Sequence, residues 1–307
     1  MWAPTCFTIS GSVASPRSDV SLKRRFLPRS VCSSNCSRSN DNPYLSYEKR
    51  SLVLSTVLSL VLAHVPIANA SELNEESVIQ NGVRSVLSKA KAAGMLRLVF
   101  HDAGTFDLNS KSGGMNGSII YELDRPENAG LSKSVKVLEK AKCEIDSIQE
   151  VSWADLIAVA GAEAVSLCGG PTIPVRIGRL DSSTPDAEGK LPEETLDAIA
   201  LKRCFQNKGF STQEMVALSG AHSIGNKGFG NPFQFDNSYY NILLEKPWTS
   251  SGGMSSMIGL PSDRALVEDD ECLRWIKTYA GDQPKFYENF KNAYIKLVNT
   301  GASWEAS

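Results

Sequence analysis

Arg97 and His101 stand four residues apart in MLRLVFHDAGTFD (95–107), an apolar, helix-forming stretch that sends both side chains out of one helical face, one turn apart. A cation beside an imidazole suits proton transfer. The imidazole takes a proton while the guanidinium holds the negative charge that develops or moves onto a departing oxygen. Taken alone, such a pair is more often a solvated pair or a satisfied buried histidine. Histidine is scarce, however: only His64, His101 and His222 occur. His222 follows a helix that ends near Ser219-Gly220 and precedes the glycine-rich GNKGFGNP, a junction where backbone and imidazole can come close to a flat macrocycle. Two histidines in separate halves of the chain, one paired with arginine, raise the idea of a flat cofactor held between them.

At 307 residues the chain can form one large domain or two modest lobes, and 42% hydrophobic with 21% charged residues is ordinary for a globular protein. A net charge of −2 gives no electrostatic reason to expect nucleic acid. Of the seven cysteines, Cys6, Cys32 and Cys36 lie in an atypical N-terminal segment. Cys143, Cys168, Cys204 and Cys272 are widely spaced with no CxxC pair, and read as buried free thiols in a reducing compartment.

The elements that must position the histidines are helical. Residues 1–50, rich in serine and arginine and poor in acids, have the composition of an organelle transit peptide. LVLSTVLSLVLAHVPIANA (52–70) follows Lys49 and Arg50 and closes on Ala68-Asn69-Ala70, as a second, signal-like export element would; an uncleaved hydrophobic anchor is the other reading. Residues 1–71 are therefore expected to be a targeting segment, and 72–307 the folded body. There Val78, Ile79, Val83, Val86 and Leu87 mark one helical face, which Gly94 is expected to interrupt before the Arg97/His101 helix. DLNSKSGGMNGS (107–118) reads as a turn region, and an amphipathic helix covers about 130–146. Ser152–Asp155 and Ser211–Glu214 have capping-box form, each opening a helix. TIPVRIGRLD (172–181) reads as a short extended piece, Pro192 as a helix start, and two helices are expected at about 262–279 and 284–299.

Several motifs now agree. MLRLVFHDAGTFD resembles the distal-helix motif of the plant-type haem peroxidases, and VALSGAHSIG (216–225) resembles their proximal-histidine motif. SWADLIAVAGAEAV, the GGP turn, GRLD, FDNSYY (235–240) and LPSDRAL (260–266) follow in the family's order, covering roughly residues 75–300. The intracellular, ascorbate peroxidase-like class is the nearest, and within it the ascorbate peroxidase-related plastid branch. The secreted class is disfavoured, because Ala103 stands where it has a disulfide cysteine. The resemblance implies an all-α, two-lobed haem peroxidase fold, with a distal lobe at about 72–185 and a proximal lobe at about 186–300, and haem b between them; residues 1–71 point to the chloroplast (stroma, or thylakoid membrane or lumen). It implies reduction of hydrogen peroxide through a ferryl intermediate at the expense of a small-molecule reductant, as part of an oxidative-stress response. Membrane association through 52–68 is expected only if that run is uncleaved.

Residue by residue, the resemblance makes His101 the distal base, Arg97 the group that stabilises the departing charge, and Asn128 the acceptor that keeps His101 basic. It makes His222 the axial iron ligand and Asp263 the buried carboxylate behind it; without the resemblance, Ser262-Asp263 reads as a helix cap. Phe100 stands in the distal pocket where intracellular members usually carry tryptophan. The segment from His222 to FDNSYY is shorter than in ascorbate-oxidising members and lacks both the proximal tryptophan and the ascorbate-binding arginine; Trp248 falls too late to replace the former. Lys89 aligns with an ascorbate-contacting lysine, so one donor contact remains. A cation site of some members maps onto Ser223, Asn231 and Asp236, which also read as turn and cap residues. Two other readings compete: a haem-binding pseudoenzyme or peroxide sensor, and a non-haem hydrolase using Ser219 and His222, for which the G-x-S-x-G elbow is missing.

Overall fold

The protein is described by a computed structural model covering residues 68–245 and 258–305. His64, Trp248 and nearly all of the expected targeting segment lie outside the described residues. Ten α-helices are present among them, with no β-strand. No helix of the described residues is long and apolar enough to cross a membrane.

Helices α1 (Ala68–Val86), α2 (Lys89–Ala103), α3 (Ser132–Asp146) and α4 (Trp153–Leu167) pack on one another. The apolar stripe of α1 is as the periodicity requires, with Ile79 and Val83 buried and Val78, Val86 and Leu87 packed against the core. Gly94 does not interrupt α2; the break falls before Lys89, at Leu87-Ser88. A side chain at Gly94 would meet Ser134 Oγ at 2.7 Å, so this glycine sits mid-helix to let α3 come close.

Helix α4 is the centre of this group. Eleven of its fifteen residues are buried, and its alanines let neighbouring helices approach. At Gly161 a Cβ would lie 2.2 Å from Tyr294 Oη and 2.5 Å from Val99 Cγ2, so α2 and the last helix can both close on it only because the residue is glycine. Ser152 caps α4 by accepting from the Asp155 N–H at 3.1 Å, but the other half of the capping box does not form. The Asp155 carboxylate turns inward instead. Its Oδ1 receives Arg179 Nη1 at 2.8 Å and its Oδ2 receives the Gly178 N–H at 2.7 Å. Arg179, 1% exposed, also donates to Val298 O and Asn299 Oδ1, and so fastens GRLD to the C-terminal helix. The stretch 172–181, expected to be extended, forms neither helix nor strand and makes only one isolated bridge, Arg179 with Trp304.

The second group comprises α5 (Ala198–Gln206), α6 (Thr212–Ser219), α7 (Ser238–Glu245), α8 (Pro261–Ala265), α9 (Asp270–Gly281) and α10 (Gln283–Asn299), of which α10 also contacts α2. Pro192 does not start a helix. The turn begins at Ala198, where the Asp197 carboxylate accepts from the Ala200 N–H at 2.8 Å and supplies the cap that Pro192 lacks. The Ser211/Glu214 capping box is complete in both directions. The helix expected at 262–279 is divided: Asp269 adopts an extended backbone and its carboxylate caps a new helix, α9, at the Cys272 N–H. All four cysteines of the body are free, but only Cys168 and Cys272 are buried; Cys204 is half-buried, and Cys143 is exposed on the outward side of α3.

Candidate active site

One cavity of about 490 Å³ opens between α2 and the turn that follows α6. Arg97, Phe100 and His101 line it from α2; Ala221, His222 and Ile224 line it from the turn; Pro192, Glu193 and Glu194 form part of its wall. The two histidines of the described chain thus face one shared space, with Arg97 among the lining groups.

On the distal side, the geometry fixes the protonation of His101. Arg97 Nε donates to His101 Nε2 at 3.2 Å, so Nε2 carries the lone pair. The proton then sits on Nδ1, which donates to Asn128 Oδ1 at 2.7 Å. The amide is held in this sense because Asn128 Nδ2 donates to Glu122 O at 2.9 Å. The guanidinium is itself anchored by donation to Ala129 O at 2.8 Å and Glu127 O at 2.5 Å. Burial and the Arg97 charge lower the His101 pKa below its ordinary value of 6.5, with Asn128 opposing only in part. The imidazole is therefore neutral near pH 7, as a base must be. Phe100 packs against Phe205 with ring centroids 6.0 Å apart and meets His101 edge-on.

On the proximal side, a short 3₁₀ turn, Gly220–Ser223, carries His222. A Cβ at Gly220 would lie 2.5 Å from Tyr240 Oη and from Phe286 Cε2, so this glycine lets the turn settle onto the aromatic core. His222 Nδ1 lies 2.8 Å from Asp263 Oδ1. Asp263, buried at the start of α8, serves both readings of its motif at once: Oδ1 takes the histidine while Oδ2 accepts the Leu260 N–H at 2.7 Å as a cap. Burial pushes the Asp263 carboxyl up, but the His222 charge and the hydrogen bonds from His222, Leu260 and Tyr239 outweigh it, leaving the carboxyl below its ordinary range. For His222, burial lowers the pKa, and the Asp263 charge and hydrogen bond more than reverse this.

This donor set fits a haem. His222 Nδ1 is committed to the carboxylate, and Nε2 has no hydrogen-bond partner among the described residues while the side chain remains 36% open to the cavity. An imidazole so oriented is the usual proximal ligand of haem iron, and the cavity is of ligand-binding size.

Residues 76–282 match the family model described as Peroxidase. The chain belongs to the peroxidase family. This peroxidase is 66% identical over 259 residues to an Arabidopsis thaliana protein provisionally named L-ascorbate peroxidase 6, covering 84% of this chain and 78% of that protein. It is 38% identical over 250 residues to the cytosolic L-ascorbate peroxidase 1 of Oryza sativa subsp. indica, covering 77% of this chain and 96% of that one. It is 36% identical over 246 residues to the peroxisomal L-ascorbate peroxidase 5 of Arabidopsis thaliana, covering 76% and 85%. The chain is thus an ascorbate peroxidase-like haem peroxidase, acting on hydrogen peroxide with a reductant.

Other residues singled out from the sequence are not gathered at the cavity. Lys89 begins α2, is exposed and does not line the cavity. Asn231 Oδ1 accepts the Phe233 N–H and Asp236 Oδ1 accepts the Ser238 N–H, as turn and cap residues do; Ser223 Oγ is buried with no partner among the described residues. No group of three His, Cys, Asp or Glu side chains suited to a metal ion occurs among the described residues. Ser219 Oγ donates to Met215 O within its own helix and is not paired with His222, which removes the hydrolase reading.

Two features escaped the sequence. The Tyr239 hydroxyl donates to Asp263 Oδ1 at 2.8 Å, on the same oxygen as His222. Glu193 and Glu194 line the cavity, and the Glu194 charge reaches both histidines. In a one-dimensional sequence FDNSYY gives no sign of a hydroxyl pointing at a carboxylate 24 residues away.

Proposed function

We propose that this peroxidase reduces hydrogen peroxide with haem b in the cavity and draws its electrons from a small aromatic donor in preference to ascorbate. The observation that carries the reading is the cavity shared by His101, Arg97 and His222, each held from behind by a partner of fitting chemistry. When bound, the iron porphyrin supplies the redox chemistry that takes two electrons to peroxide. His222 Nε2 would hold the iron, and Asp263 and Tyr239 would hold His222.

The chain's own contribution is proton transfer. His101 Nε2, neutral and pointed at Arg97, would accept a proton from one peroxide oxygen and return it to the other as that departs as water. The Arg97 guanidinium stabilises the negative charge on the departing oxygen, and its two bonds to backbone carbonyls keep it in position without reorganisation. Asn128 holds the imidazole so that Nε2, and not Nδ1, is the base.

The donor preference rests on missing contacts. The relatives' names specify ascorbate, an anion at neutral pH. Here Lys89 lies away from the cavity, the segment between His222 and FDNSYY carries no arginine, and Glu193 and Glu194 offset the charges of Arg97 and Lys227 in the lining. No surplus of positive charge draws an anion in, and a neutral phenol needs none. Steady-state turnover with ascorbate and with a guaiacol-like phenol tests this: a higher kcat/KM for the phenol is expected, and a higher value for ascorbate would overturn the donor assignment. The chloroplast location proposed from residues 1–71 is tested by imaging the full chain with a C-terminal fluorescent tag, and cytosolic fluorescence would overturn it.

A further inference from the structure

The buried side of His222 carries more oxidisable rings than holding a ligand requires. Tyr239 meets His222 edge-on, ring centroids 6.0 Å apart. A run of contacts leads onward: Tyr239 to Tyr240 at 4.9 Å, Tyr240 to Tyr279 at 5.2 Å, and Tyr279 to Trp275 at 5.9 Å. Each lies in the range of favourable aromatic contact. The three tyrosines are fully buried, whereas Trp275, on α9, is half-buried and flanked by the exposed Arg274. The run begins beside the proximal histidine and ends at the surface. Plain packing would be served by phenylalanine, as it is next door, where Phe235, Phe286 and Phe290 fill the same core.

We propose that Trp275 is a second oxidation site, at which a phenolic donor too bulky for the cavity delivers electrons to the haem across Tyr279, Tyr240 and Tyr239. The proposal rests on the haem reading of the cavity. Hydrogen peroxide is the oxidant. Trp275 gives one electron inward, and the vacancy on its ring is filled by one electron from a phenol, which releases its O–H proton to water. Two such transfers and two protons convert one peroxide to two waters, and the two phenols become phenoxyl radicals.

Tyr239 donates to Asp263, Tyr240 to Val216 O at 2.9 Å, and Tyr279 toward Gln213 O at 3.4 Å, so each buried hydroxyl is held in place along the run. Trp275 is the one ring of the run open to water, so it is where an outside donor can fill the vacancy. The Arg274 guanidinium, 5.3 Å from the Trp275 ring, disfavours positive charge there and makes the oxidised ring a stronger oxidant. A competing exit is poorer: Tyr287 is reached from Tyr240 only across Phe286.

The full chain loaded with haem, its Soret band confirmed, is treated with equimolar peroxide and a nitroso spin trap without donor, and peptides are read by mass spectrometry. The trap should attach at Trp275 in the wild type and in Tyr287→Phe, and be missing from that peptide in Trp275→Phe. In turnover, Trp275→Phe should lose oxidation of a phenol coupled to dextran while oxidising the free phenol as before. An adduct on Tyr287 in place of Trp275, or dextran-phenol oxidation that is absent in the wild type or unchanged in Trp275→Phe, would overturn the proposal. The haem reading is scored separately, by the Soret band and free-phenol turnover.

Discussion

His222 Nδ1 and the Tyr239 hydroxyl converge on one oxygen of Asp263, each at 2.8 Å. The carboxylate therefore divides its basicity between an imidazole and a phenol, while its other oxygen is spent on the Leu260 N–H. An imidazole donating to a carboxylate gains anionic character and becomes a stronger ligand. The tyrosine moderates that gift.

Replacing Asp263 should thus weaken the ligand. Asp263→Asn is expected to raise the iron reduction potential and lower peroxide turnover, by the ~10–100-fold typical when a partner behind a metal ligand is lost. Tyr239→Phe should move the potential the opposite way, because the carboxylate then serves His222 alone. Spectroelectrochemical titration of both variants checks the signs.

Proton transfer by His101 can be removed without emptying the cavity. His101→Ala is expected to keep haem bound and to slow peroxide reduction by at least ~10²–10⁴, the usual contribution of a general base. Stopped-flow decay of the Soret band measures it, and an unchanged rate would remove His101 from the mechanism.

The pH profile carries a sign that the geometry fixes. Because the His101 pKa is lowered from 6.5, kcat/KM for peroxide should be flat at neutral pH and fall only on acidification below that value, as the base becomes protonated. The Asn128 hydrogen bond raises this pKa, so Asn128→Val should shift the acid limb to lower pH still while reducing the plateau, since the ring loses its fixed orientation. A limb that moves upward in Asn128→Val would contradict this.

Arg179 is expected to matter for stability alone. It lies outside the cavity, yet truncation to alanine leaves the Asp155 carboxylate buried without its cation and cuts the ties to Val298 and Asn299. A loss of about 3–5 kcal/mol is expected for breaking such a pair, read as a lower urea midpoint at unchanged haem content.

The all-α character, the Arg97/His101 helix and both helix caps at Ser152 and Ser211 were legible in the sequence, because periodicity and cap chemistry are local signals; the pairings of Asn128 with His101 and of Asp263 with His222 were legible only through the family resemblance. Pro192 misled because a proline permits a helix start without forcing one; the helix opens instead where Asp197 caps it. Gly94 misled because a glycine that makes room for Ser134 looks, in sequence, like one that breaks a helix. Asp155 turned from its expected cap toward Arg179, and Tyr239 toward Asp263, through contacts between residues 24 positions apart. No spacing rule reports such pairings.

The central claim is that His222 holds a haem iron in the cavity it shares with His101. Titration of the purified apoprotein with haemin, followed at the Soret band, tests it most directly. The wild type should develop a sharp Soret band that saturates at equimolar haemin, and His222→Ala should yield a band shifted in position and restored toward the wild-type form by added imidazole. A wild type without a saturating Soret band, or a His222→Ala spectrum identical to the wild type, would contradict the account.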